Sequence, residues 1–148
     1  MKPTNFAIAV VLPNPKNEKE ILAVLRPPED TSLPNIWGLP AVMVKNGEMP
    51  EDAVRRVGKE KLDTEIEPVS QVGIKSHDRG EYELILMDVK AKLVGKEPSV
   101  ANATTTGIKY VEQKWVSDYS IFINGAKKGS VCDRIFLESQ GIDWSREG

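Results

Sequence analysis

The chain has 148 residues, 40% of them hydrophobic and 28% charged, enough to bury a core without disulfides or a structural metal. No apolar run is long enough to cross a membrane, and a net charge of −2 provides no basic field for DNA or another long polyanion, which leaves room for a small phosphorylated ligand held by local groups. The single cysteine, Cys132, excludes an intramolecular disulfide and reads as helix packing.

In chain order, the apolar run Ala7 to Leu12 is shorter than a secretory signal core and no small-residue cleavage site follows it, so the expected location is the cytoplasm. "FAIAVVL" and "EILAVLR", separated by the turn-rich "PNPKNEK", predict two buried strands. "RPPEDTSLPN" then reads as a loop. "PEDAVRRVGKEKL" places Pro50 at a helix-compatible first position, with Glu51 and Asp52 in the first turn, where carboxylates complement the helix dipole. A helix is expected over 50–62, packed by Ala53, Val54 and Leu62, with Gly58 as its weak point.

"IEPVSQVGIKS" and "EYELILMDVKAKLV" flank "HDRG" and predict a hairpin, with His77 in the loop. "IKYVEQKWV" reads as a further strand. In "GSVCDRIFLESQG", Ser130 and Asp133 resemble a capping box and Gly141 a stop signal. Strands outnumber helices without regular alternation, which predicts one α+β domain over 1–148 with a mixed β-sheet between helices.

The order of these elements, together with "IWGLP", "NGE" and "PEDAVRR" opening a helix, resembles the Nudix (MutT-like) family. The resemblance implies an α/β/α sandwich and hydrolysis of nucleoside diphosphates linked to another group. The family's box runs Gly, five residues, Glu, seven residues, then Arg-Glu-aliphatic-any-Glu-Glu-any-Gly-aliphatic. Glu48, Arg56 and Glu60 match it, whereas Val42, Val57, Gly58, Lys61, Asp63 and Thr64 depart from it.

On a regular helix, residues 57, 60 and 61 share one sector, because each residue turns the helix by about 100°. In the family all three are Glu, a carboxylate cluster suited to Mg²⁺, which takes oxygen ligands and bridges phosphates. Here the sector holds Val57, Glu60 and Lys61 and has no net formal charge. Binding of Mg²⁺ or Mn²⁺ is therefore expected to be weak or absent.

The resemblance makes Glu48, Glu60 and Glu112 the candidate metal ligands, Arg26, Trp37 and Lys61 the candidate substrate contacts, and Arg56 a structural residue. Each also has a plain reading. Glu60 and Glu112 read as solvated carboxylates, Glu48 as a loop cap or a partner of Arg56, Lys61 as a surface ammonium, Trp37 and Trp115 as core, and Arg26 as solvated. Two functions follow. One is a pyrophosphohydrolase with a reduced ligand set; the other is a non-catalytic nucleotide- or phosphate-binding module, in which Lys61 supplies one fixed positive charge, or an interaction scaffold on the same fold. The acidic balance argues against an RNA-binding scaffold. The oligomeric state is not encoded in any pattern found.

Overall fold

The two apolar runs near the start become strands whose faces are both covered, which is why neither run alternates. A computed structural model describes residues 2–105 and 107–146. β1 spans Thr4–Val11, and after the short β2, Pro13–Asn14, β3 spans Asn17–Leu25. Ala7, Ala9 and Val11 of β1, with Ile21 and Ala23 of β3, face one core cluster, while Ile8, Val10, Leu22 and Val24 face the other.

The remaining strands are β4 (Trp37–Gly38), β5 (Ala41–Met43), β6 (Ile66–Asp78), β7 (Glu83–Leu93) and β8 (Glu112–Val116). β1 and β3 belong to different sheets. The first is mixed, in the order β5-β1-β7-β6, with β1 and β7 parallel and the other pairs antiparallel. In the second, β3 pairs antiparallel with β2, β4 and β8.

Helix α1, Pro50–Arg56, packs on β1, β5 and β6. On the opposite side α3, Val131–Ser139, packs on β6 and β7 and against the short α2, Ile123–Lys127. The mixed sheet thus lies between helices, as the predicted α+β class requires.

The hairpin forms, but β6 runs to Asp78 and carries His77 inside the strand opposite Leu84, so His77 is not a loop residue. Ser130 is the residue before α3, yet its side chain makes no capping bond. Its hydroxyl lies 3.4 Å from Cys132 Sγ instead, and Asp133 is fully buried, so the capping-box pattern serves the core. Gly141 does stop α3. With φ +72° it lets the Gly141 and Ile142 amides donate back to the Glu138 and Leu137 carbonyls at 3.1 and 2.9 Å, the geometry of a left-handed helix end.

Helix α1 is shorter than expected. After Arg56 the chain widens into a π-helical turn over Val57–Lys61. Ala53, Val54 and Leu62 are buried as expected, and Val57 is buried with them. The widening has a local cause at Gly58: a Cβ there would lie 2.8 Å from the Thr64 carbonyl oxygen and 2.9 Å from Ile66 Cγ1. The Leu62 and Thr64 amides both donate to the Gly58 carbonyl, at 3.2 and 3.0 Å. A side chain at 58 would force this reversal apart, so the glycine is a requirement of the turn.

Candidate functional site

The site begins at Arg56, the last residue of α1, which points back at the loop before the helix. Its Nε and Nη2 donate to the two oxygens of Glu48 at 2.9 and 3.0 Å, and Nη2 also donates to the Met43 carbonyl at 2.6 Å. The Lys45 amide donates to Glu48 as well, at 3.1 Å. The Arg56 hydrogen bonds bring the Glu48 carboxyl below its ordinary value, against some opposition from burial. Arg56 thus ties β5, the loop and the helix together, an architectural geometry. Both plain readings of Glu48, loop cap and partner of Arg56, describe its contacts.

One turn on, Glu60 lies 3.4 Å from Arg56 Nη1 and is half-buried. Val57 is fully enclosed by the apolar cluster of Ala53, Val54, Leu62 and Ile66. The π-helical turn separates Val57 from Lys61: one faces the core and the other faces Ile108 and Tyr110.

Lys61 is not a surface ammonium; only 6% of the residue is exposed. Its Nζ donates to the Ile108 carbonyl at 2.5 Å and stands 5.5 Å from the centre of the Tyr110 ring. Among the described residues no carboxylate lies within ion-pair distance of it. Burial pushes its pKa below that of an ordinary lysine, with the Arg26 charge adding to the effect and Glu60 partly opposing it. The same segment is held at three further points: the Thr104 and Thr105 amides donate to the Glu60 carbonyl at 3.1 Å, and the Ser99 amide donates to the Leu62 carbonyl at 2.7 Å. Residues 99–105 and 107–110 therefore lie across the end of the helix.

Arg26, at the end of β3, donates from Nε to Asp30 at 2.5 Å. Asp30 also accepts from the amides of Leu33 and Ser32 at 3.0 and 2.9 Å. Burial alone would raise the Asp30 pKa, but these donors and the guanidinium outweigh it and bring it down to about 2. Arg26 therefore organises its own loop. Between that loop and residues 107–111 is an open cleft of about 640 Å³, lined by Glu29, Asp30, Ile108, Lys109 and Tyr110 among others.

The other candidates are dispersed. Trp37 is half-buried against the α3-side core, and Lys114 Nζ stands 4.6 Å over its ring, so that face already has a cation on it. Trp115 donates from Nε1 to Glu97 at 2.7 Å. Glu112 opens β8 opposite Leu25 and is exposed.

Among the described residues no group of three His, Cys, Asp or Glu side chains could hold a metal ion. The helix face does not fit a hard divalent cation, which needs several free oxygen ligands. Glu48 has both oxygens on Arg56, and Lys61 brings a positive charge into the same region.

Sequence reasoning missed Asp30, Tyr110, Asp88 and Asp133. Asp30 had a signal, because Asp followed two residues later by Ser32 is an Asx-turn pattern. Tyr110, whose hydroxyl accepts from the Ala41 amide at 2.9 Å, had none, since its partner lies far away in sequence.

No family model matches the chain, and no curated protein matches its sequence. Solved structures do. The MutT protein from Methanosarcina mazei Go1 superposes with a TM-score of 0.71 at 18% identity, covering 95% of each chain. A NUDIX hydrolase from Nitrosomonas europaea also gives 0.71, at 21% identity, covering 95% of this chain and 89% of its own. A MutT NUDIX hydrolase from Burkholderia pseudomallei gives 0.64 at 18% identity, over 78% and 84%. At these identities the likeness concerns the fold, and the fold of this chain is the Nudix fold.

Proposed function

On the premise of the Nudix fold, we propose that this chain binds a small phosphorylated ligand, such as a nucleotide derivative, and has little or no Mg²⁺- or Mn²⁺-dependent diphosphate hydrolysis. The observation that carries the reading is Lys61. A buried ammonium whose hydrogen-bond partner among the described residues is a carbonyl occupies a helix position where the box of the Nudix family has a metal-ligating Glu. Clustered carboxylates work by holding a cation that neutralises charge on a phosphate. A lysine supplies one unit of that charge permanently and needs no metal, though it brings neither the second charge nor a bound water to activate.

An anion that engages Lys61 replaces the Ile108 carbonyl as its partner. Exchanging a neutral acceptor for a charged one roughly doubles the strength of such a hydrogen bond. Arg26 remains with Asp30 and adds only its long-range field. The names of the Nudix neighbours support a second reading, a hydrolase; its metal would be held by Glu48, Glu60 and Glu112 after rearrangement. For that set to form, Glu48 must leave Arg56.

Thermal denaturation with pyrophosphate or ADP-ribose, with and without Mg²⁺, separates the two, because a ligand of the native state raises the melting temperature by mass action. The proposal expects a ligand-induced rise that is the same without metal and is lost in Lys61→Met. A rise that needs Mg²⁺, or one that survives Lys61→Met unchanged, contradicts it.

A further inference from the structure

A second polar cluster lies on the far side of the mixed sheet, away from Lys61. Asp88 of β7 and Asp133 of α3 are both fully buried. Neither oxygen of Asp88, nor Oδ2 of Asp133, has a hydrogen-bond partner among the described residues. Buried polar groups are nearly always paired, so three orphan oxygens on two neighbouring carboxyls call for a cause. An accidental fit is not the cause, because the surroundings are shaped around Asp133. A Cβ on Gly125 of α2 would overlap Asp133 Oδ2, and one on Gly38 of β4 would lie 3.3 Å from Oδ1. Two elements carry glycine where the carboxyl sits.

We propose that Asp88 and Asp133 form a pH-sensitive joint between the mixed sheet and α3, which retains at least one proton at neutral pH and loosens when that proton leaves. The physical case is the cost of charge. An isolated ionised carboxylate in an apolar interior is far more expensive than a neutral one, and a second beside it is more expensive still. The elements that carry the pair contribute Leu84 and Leu86 of β7 and Ile135 and Phe136 of α3 to one apolar cluster, with Ala9 of β1 opposite Asp88.

The titratable and charged groups that face the pair are few. Cys132, next to Asp133 on α3, has its Sγ 3.9 Å from Asp133 Oδ1, and burial pushes its thiol far up, so it stays neutral. Arg26, from the end of β3, acts on Asp133 at longer range and favours its ionised form, while its near partner remains Asp30. From β1, α2 and β4 the neighbours are Ala9, Gly125 and Gly38, which carry no charge. Burial raises both carboxyls, and for Asp88 the neighbouring Asp133 raises it further.

The sign follows from linkage. The native state holds a proton that the unfolded chain releases near the ordinary carboxyl value, so stability is greatest in mild acid and declines as pH rises. Each retained proton raises the unfolding equilibrium constant by up to about tenfold per pH unit within that window.

The test uses the full chain labelled with ¹³C at aspartate. Infrared spectroscopy at neutral pH reads a protonated carboxyl directly, and the proposal expects an aspartic acid carbonyl band that vanishes in Asp88→Asn/Asp133→Asn. The unfolding constant from urea denaturation is expected to rise between about pH 5 and pH 9 in the natural protein and to change little in the variant. If the variant fails to fold, the band in the natural protein still decides. Absence of that band at neutral pH, or an unfolding constant indifferent to pH in this range, overturns the proposal.

Discussion

The Lys61 ammonium donates to the Ile108 carbonyl at 2.5 Å, closing residues 107–110 over the end of the helix whose box in the Nudix family carries carboxylates. Replacing Lys61 by Met keeps the bulk and removes the charge. Hydrogen exchange at residues 107–110 is expected to quicken, because the segment loses a clamp. Global stability is expected to change little or to rise, since burying the charge was itself costly.

The same lysine has a pH signature. Its native pKa lies below that of an ordinary lysine, so the native state gives up its proton before the unfolded chain does. Its contribution therefore improves as pH rises through the window that ends at the unfolded value. The stability difference between Lys61→Met and the natural protein, measured by urea unfolding in alkaline buffers, is expected to shrink with increasing pH. A constant difference would show that the amine titrates as it does in water.

Arg56 and Glu48 give a prediction about architecture. Arg56→Met is expected to destabilise by about 2 kcal/mol, the scale of hydrogen bonds to charged groups. Arg56→Lys should recover only part of this, because lysine cannot make the forked contact. Chemical denaturation of both variants checks it.

Gly58 reverses the expectation drawn from helix propensity. Gly58→Ala should destabilise by about 1–3 kcal/mol, the range for overpacking, because its Cβ meets the Thr64 carbonyl and Ile66. A gain in melting temperature would show that the turn relaxes into a regular helix.

Asp30 predicts an acid limb. Its carboxyl, ordinarily at 3.8, is brought down to about 2, so it contributes about 2 kcal/mol near neutrality. That contribution is present above the unfolded value and is lost as pH falls from about 4 to about 2. Asp30→Asn should lack this part of the acid unfolding: it is weaker than the natural protein near neutrality, for want of a charged partner to Arg26, and the difference closes in strong acid.

The sequence made the mixed α+β layout legible because its signals were local and strong: continuous apolar runs for β1 and β3, Pro50 with an acidic first turn for α1, and Gly141 for the end of α3. The pairing of Arg56 with Glu48 was legible for the same reason, since helix and loop are adjacent. The π-helical turn was not. Its cause is the approach of Thr64 and Ile66 to Gly58, and propensity sees only a weak helix former there. The setting of Lys61 depends on Ile108 and Tyr110, far along the chain, so a charged helix residue was read as solvated. Asp133 looked like half of a capping box because its three-residue spacing from Ser130 is the same whether the side chain caps the helix or enters the core.

The burial of Val57 also revises how the metal site would be rebuilt. On a regular helix, Glu at 57 and 61 together with Glu60 would complete the carboxylate sector of the box. Val57→Glu instead places a carboxylate among Ala53, Val54, Leu62 and Ile66, where an unpaired charge destabilises by several kcal/mol. Lys61→Glu alone is expected to be the better tolerated change, and calorimetric titration with Mn²⁺ on the two single variants compares them.

The central claim is that this Nudix fold engages phosphorylated ligands through a fixed lysine, without a catalytic metal. The most direct measurement is a calorimetric titration of ADP-ribose into the protein with and without Mg²⁺, with phosphorus NMR following product in the same samples. The account predicts binding heat that is independent of Mg²⁺ and a ligand that survives intact. Steady Mg²⁺-dependent conversion of ADP-ribose, abolished by Glu60→Ala, would contradict it.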